Sequence, residues 1–125
     1  MTASPPICKK MTFISRRSPY GSGYAKACLD MVLSAAVFDQ QVTLIFMDDG
    51  VFQLQCQQSP ASINAKDLSA SLGALPLYDV EHVYVDAEAL ASRGISPDQL
   101  AIDARLCDAQ QIAALIRESD AVFAL

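Results

Sequence analysis

The chain has 125 residues, 52% of them hydrophobic, and 14 acidic against 9 basic side chains give it a formal net charge of −5. With so few cations and no Lys/Arg cluster it lacks the positive stripe that a nucleic-acid groove needs to neutralise phosphates, so no direct nucleic-acid binding is expected. One histidine and four cysteines without a C-x-x-C pair give neither zinc-site nor disulfide spacing, and no metal or cofactor is expected.

The length suits one domain spanning residues 1–125, with residues 1–8 expected to be flexible. The stretch Met1 to Ile7 lacks a basic region followed by an apolar one, and no apolar run approaches membrane-spanning length. A soluble, cytoplasmic protein with reduced thiols and no membrane contact is the expectation.

Met11-Thr12-Phe13-Ile14 reads as the first strand, followed by a polar turn from Ser15 to Ser22 and a helix from about Gly23 to Phe38. Between Ala25 and Phe38 the polar positions are Lys26, Asp30 and Ser34, four apart, which leaves one narrow wet stripe. Such a helix is either covered by its own neighbours or packed against a partner chain as well as its sheet. The narrow stripe favours the second, with Lys26 on the stripe and Val32 on the apolar side as interface candidates.

Val42 to Met47 is the second strand, and it stops at Asp48-Asp49-Gly50 before Val51-Phe52 turns apolar again. An apolar strand ending in a polar turn delivers residues to the carboxyl edge of a parallel sheet, where open α/β folds keep their sites. Asp48 and Asp49 are expected to cap the turn and a short helix near Val51. Gly50 is expected to permit the turn, with Gly50→Val costly through its backbone if φ there is positive, and Phe52 to anchor a lid-like polar segment, Gln53 to Ser62.

A helix from about Asn64 to Leu72 follows, closed by Gly73 and Pro76. His82 to Val85 is the third strand, Ala87 to Arg93 a short helix ending at a left-handed Gly94, and Ala101 to Ala104 the fourth strand. Asp108-Ala109-Gln110-Gln111 is a capping-box variant opening the last helix through Glu118, and Ala121 to Leu125 is the fifth strand. This alternation predicts an α/β fold with three layers, α/β/α, around a five-stranded parallel sheet.

No catalytic residue emerges. The loop Ser15 to Gly23 could cradle an anion at a helix N-terminus, but Lys26 stands at the third glycine place of G-x-G-x-x-G, so an ordinary turn or subunit contact is the simpler reading. Asp48 or Asp49 could act as a ribose-binding acid only in that same context. Cys28 lies in the apolar helix, Cys8 near the chain start, and Cys107 in the loop before the last helix. Cys56 is the best-placed thiol, yet Gln55, Gln57 and Gln58 offer no cation to depress its pKa. His82 beside Glu81 suits a structural role, and there is no G-x-S-x-G elbow.

Asp49-Gly50-Val51-Phe52-Gln53-Leu54, Leu77-Tyr78-Asp79-Val80-Glu81 and Ser18-Pro19-Tyr20-Gly21, the last opening an apolar helix, together resemble the TusC/DsrF family from about Lys10 to Leu125. The resemblance implies a DsrE/DsrF/DsrH-like fold and a heterohexamer with TusB-like and TusD-like sister chains. Such complexes relay persulfide sulfur, toward 2-thiouridine at the tRNA wobble position in the Tus branch and within sulfur oxidation in the DsrEFH branch. It places the sulfur-carrying cysteine on the TusD-like sister, at a position that alignment on Arg93-Gly94 makes Asp86 here. The chain would then be a non-catalytic docking subunit, not an enzyme by itself, and prone to self-association when isolated. On this reading Tyr20, Gly21, Asp49, Gly50 and Phe52, with Tyr78 and Asp79, join Lys26 and Val32 as structural or interface candidates. A thiol sulfurtransferase using Cys56 and a nucleotide- or flavin-binding module using Ser15 to Gly23 are the rival classes.

Overall fold

In the computed structural model, which describes residues 9–18, 23–55 and 70–125, five short strands form one sheet. They are β1 (Lys10–Ser15), β2 (Gln41–Phe46), β3 (His82–Asp86), β4 (Arg105–Cys107) and β5 (Ala121–Ala124). Every pairing is parallel, and the spatial order is β4-β3-β2-β1-β5. The helices are α1 (Tyr24–Val37), α2 (Ala87–Ser92) and α3 (Ala109–Arg117), and residues 70–74 form a further helical run.

The order explains the layers. Strands β1 to β4 step toward one edge, and β5 returns to the far side of β1. With right-handed connections, the helices after β1 and β3 fall on one face of the sheet and α3 on the other. Period-two alternation then divides the core. Phe13, Leu44, Phe46, Val83 and Val85 face α1 and α2, whereas Ile14, Ile45 and Cys107 face Ile112 of α3. The capping box is present as expected: Asp108 Oδ1 accepts from Gln111 N at 2.8 Å, and Gln111 returns the bond to Asp108 N at 2.9 Å. Gly94, at φ 68°, adopts the left-handed backbone that the end of α2 requires.

Helix α1 buries Ala25, Cys28, Leu29 and Val32, the 3–4 spacing of one face. Val32 is 0% exposed, so it belongs to the core, and its assignment as an interface residue is corrected. Lys26 is exposed as expected. The apolar residues flanking the polar stripe on the outer side, Tyr24, Met31 and Val37, remain exposed, as does Phe38 at the C-cap.

Three further expectations change. The fourth strand is Arg105–Cys107, not Ala101 to Ala104: the Ala101 amide is diverted to Leu54 O at 2.7 Å, while Ile102 and Ala104 pack against the core from a loop. Cys107 accordingly ends a strand and is buried, not in a loop. No lid starts at Gln53, because Gln53 and Leu54 are both buried within a 3-10 segment, Asp48–Leu54. The expectations for residues 1–8 with Cys8, for Tyr20 and Gly21, for Cys56, and for the helix over residues 64–69 lie outside the described residues. Among the described residues no helix is long and apolar enough to cross a membrane.

Candidate functional site

The carboxyl edge is built around the last residue of β1. Ser15 O accepts from Met47 N at 3.0 Å as the chain leaves β2, and the strap Asp48–Leu54 then folds over that carbonyl. A carbon added at Gly50 would stand 2.0 Å from Ser15 O and 2.7 Å from Ser15 C. Glycine is therefore required here by close backbone approach and not by a positive φ. The left-handed residue of this turn is Asp48, at φ 50°, a conformation that aspartate tolerates better than most. Phe52 is half-buried and packs against the main core.

Gln53 is 1% exposed, and its Nε2 donates to Ser15 Oγ at 2.7 Å and to Arg17 O at 2.9 Å. Sequence reasoning missed this residue, since a glutamine heading a Gln-rich stretch looks like the start of a solvated loop. The one available signal was the apolar Leu54 beside it.

Beyond the strap lies a cleft of about 440 Å³ lined by Arg16, Arg17, Tyr24, Asp48, Asp49 and the end of β5. Asp48 and Asp49 sit in the first turn of the 3-10 segment, yet neither caps it, which corrects the capping expectation. They form ion pairs instead. Arg16 Nε lies 3.0 Å from Asp48 Oδ2, and Arg93 Nε lies 3.1 Å from Asp49 Oδ1 while its Nη1 donates to Ala89 O and Ser92 Oγ. Exposed pairs of this kind contribute under about 1 kcal/mol each, so they fix position more than stability. The Arg17 guanidinium lies over the Tyr24 ring at 5.2 Å.

The end of β3 carries Asp86, whose Oδ1 accepts from Glu88 N at 3.1 Å and caps α2. Its register partner on β4 is Cys107, whose thiol donates to Val85 O at 3.4 Å. Burial, reinforced by the Asp86 and Asp108 carboxylates, pushes that thiol up to about 11. Burial also pushes Cys28 up to about 11, against a smaller lowering by its hydrogen bond with Ser15. Neither thiol is a nucleophilic thiolate at neutral pH.

A pH dependence follows. A thiol whose folded-state pKa of about 11 exceeds its ordinary 9.0 holds its proton longer when folded. The contribution of these two thiols to stability should therefore be constant below about pH 9 and fall as pH rises toward 11, since the unfolded chain releases those protons first. Denaturant titrations of the chain and of the Cys28→Ala, Cys107→Ala variant at pH 8 and 10.5 check this, and the variant should lose less across the interval.

Two other surfaces stand out. The 3-10 turn Leu75–Tyr78 is anchored by the buried Leu75 and Val80 and closed by left-handed Asp79 at φ 59°. This turn presents Leu77, 83% exposed, and the part-exposed Tyr78 to solvent. On the α1 side, a shallow groove is lined by Met11, Phe13, Met31, Phe38 and Phe123. Phe123 stacks on Phe13 at 5.1 Å, and β5 pairs only with β1, so its outer edge is open among the described residues. Among those residues, no group of three His, Cys, Asp or Glu side chains could hold a metal ion.

The profile of the DsrE/DsrF-like family matches residues 9–125. A "Protein TusC homolog" of Pseudomonas aeruginosa is 38% identical, covering 95% of this chain and 100% of its own length. "Intracellular sulfur oxidation protein DsrF" of Allochromatium vinosum is 36% identical, covering 94% of this chain and 96% of its own. The crystal structure of the ychN protein from E. coli superposes with a TM-score of 0.79, at 21% identity, over 94% of this chain and 99% of that one, a likeness of fold.

Proposed function

The chain belongs to the DsrE/DsrF-like family, and from that premise we propose that it is a non-catalytic docking subunit of a sulfur-relay complex. The observation that carries this reading is at the end of β3. Where the resemblance puts a sister subunit's sulfur-carrying cysteine, this chain has Asp86, whose carboxylate caps α2 and cannot hold a persulfide. The neighbouring thiol, Cys107, is buried, bonded to Val85 O and held protonated.

The partners on this reading are TusB-like and TusD-like chains in a cytoplasmic heterohexamer. The relay ends at 2-thiouridine of the tRNA wobble position, with the sister chains and not this one handling sulfur. Apolar residues left outside, Met31, Val37 and Phe38 at the outer side and end of α1 with Phe123 on β5, supply a surface of the kind that subunit contacts bury. A second reading, a DsrF-like subunit in sulfur oxidation, is favoured by the near-equal identity to DsrF, 36% against 38%.

The deciding experiment is transfer of labelled sulfur from the upstream donor through the reconstituted complex, using a chain with Cys8, Cys28, Cys56 and Cys107 all replaced by alanine or serine. Transfer is expected to persist, with gel filtration showing intact assembly. Loss of transfer from Cys56→Ser alone, in an intact complex, would make this chain a sulfur carrier and overturn the docking reading.

A further inference from the structure

The described residues include three buried polar side chains, Thr12, Ser15 and Gln53. Thr12 is explained locally, since its hydroxyl bonds that of Ser119 behind α3. Ser15 and Gln53 are different, because they bond each other across 38 residues of sequence. Gln53 reaches back from the strap to Ser15 Oγ and Arg17 O. Strap and strand end thus meet in one buried polar network directly beneath the Arg16-Arg17 rim of the cleft.

Burying an amide costs free energy that its hydrogen bonds roughly offset, and an apolar side chain of the same volume would serve packing as well. A buried network of this kind instead specifies geometry. What this one fixes is the backbone of residues 15–17. The same short stretch donates Arg16 N to Leu125 O at 2.9 Å, so it is held from both sides. Its side chains emerge as a fixed pattern of charge, Arg16 against Asp48 and Arg17 over Tyr24, beside the strap's own pair of Asp49 with Arg93. Alternating charges at set positions give register and partner choice more than affinity.

We propose that Gln53 is a positioning residue, which locks the Arg16-Arg17 rim in the geometry that a sister subunit with a charged, complementary edge docks against. The inference rests on the docking-subunit reading above and adds to it the residue that sets the rim. The apolar face of α1 and β5 supplies contact area, and the rim supplies selectivity.

The test compares the full chain with Gln53→Met, which keeps volume but removes both donated bonds, and with Ser15→Ala. Amide hydrogen exchange is measured on the isolated chain, and dissociation rates are measured in the complex with the sister chains. Gln53→Met is expected to speed exchange at residues 16–18 by about tenfold or more while β2 and β3 amides keep their protection. It should also speed dissociation from the sister by a similar factor. Adding Ser15→Ala to Gln53→Met should change dissociation little further, because Ser15 acts through the same network. Unchanged exchange at residues 16–18, a loss of protection spread evenly over the sheet, or a loosened rim with unaltered dissociation would each overturn the proposal. A wild-type chain that binds no sister subunit overturns the docking reading instead, and rim exchange on the isolated chain still decides whether Gln53 holds the loop.

Discussion

Replacing Gly50 with valine is expected to destabilise the chain by about 3 kcal/mol or more, the upper range for overpacking a site that cannot give way. The first added carbon would stand 2.0 Å from Ser15 O. That oxygen is backbone, already committed to Met47 N, in the strand at the centre of the β2-β1-β5 pairing. Relief requires lifting the strap off β1, which would break the Gln53 bonds and expose Val51 and Leu54, both 0% exposed. For a domain of this size the midpoint of thermal unfolding should fall by roughly 10 °C or more. Gly50→Ala should show most of the loss, because the clash is with the first carbon and not with the valine methyls. Unchanged melting of either variant would mean that the strap does not rest on Ser15.

The second large effect separates the two sides of α1. Val32→Glu places a carboxylate at a fully buried position between helix and sheet with no cation to meet it. The cost is several kcal/mol, a large share of the roughly 5–15 kcal/mol that holds an ordinary domain together, and the chain should lose its native fold. Phe38→Glu, at a residue 74% exposed, should leave stability within about 0.5 kcal/mol. It should nonetheless reduce self-association of the isolated chain and weaken assembly with sister subunits. Circular dichroism melts and sedimentation velocity on both variants check the pair. A Phe38→Glu chain that associates as strongly as wild type would move the contact away from this face.

Much of the fold was legible because it depends on local pattern. Apolar runs bounded by polar turns gave four of the five strands within a residue or two, and the long apolar run after the polar turn gave α1. Gly94 and the Asp108–Gln111 box marked helix ends through chemistry confined to a few residues. Beta-strand β4 was displaced along the chain because Ala101 and Ile102 are as apolar as strand residues. The hydrogen bond from Ala101 N to Leu54 O, a contact 47 positions away in the sequence, and the adjacent Gln55–Leu100 bridge reserve that stretch for a loop.

The sequence by itself determined the fold class and the family motifs, since each of these is a property of residue type and short spacing. The tertiary structure alone decided which side of α1 is core, because a narrow polar stripe does not say on which flank the sheet lies. It also decided why Gly50 is glycine: the constraint is a carbonyl 35 residues earlier, brought close by β1-β2 pairing. Gln53 became a buried brace for the same reason, as its partners Ser15 and Arg17 lie 38 and 36 residues away. Such long-range contacts depend on how the strands are ordered in the sheet, which no local window of sequence contains.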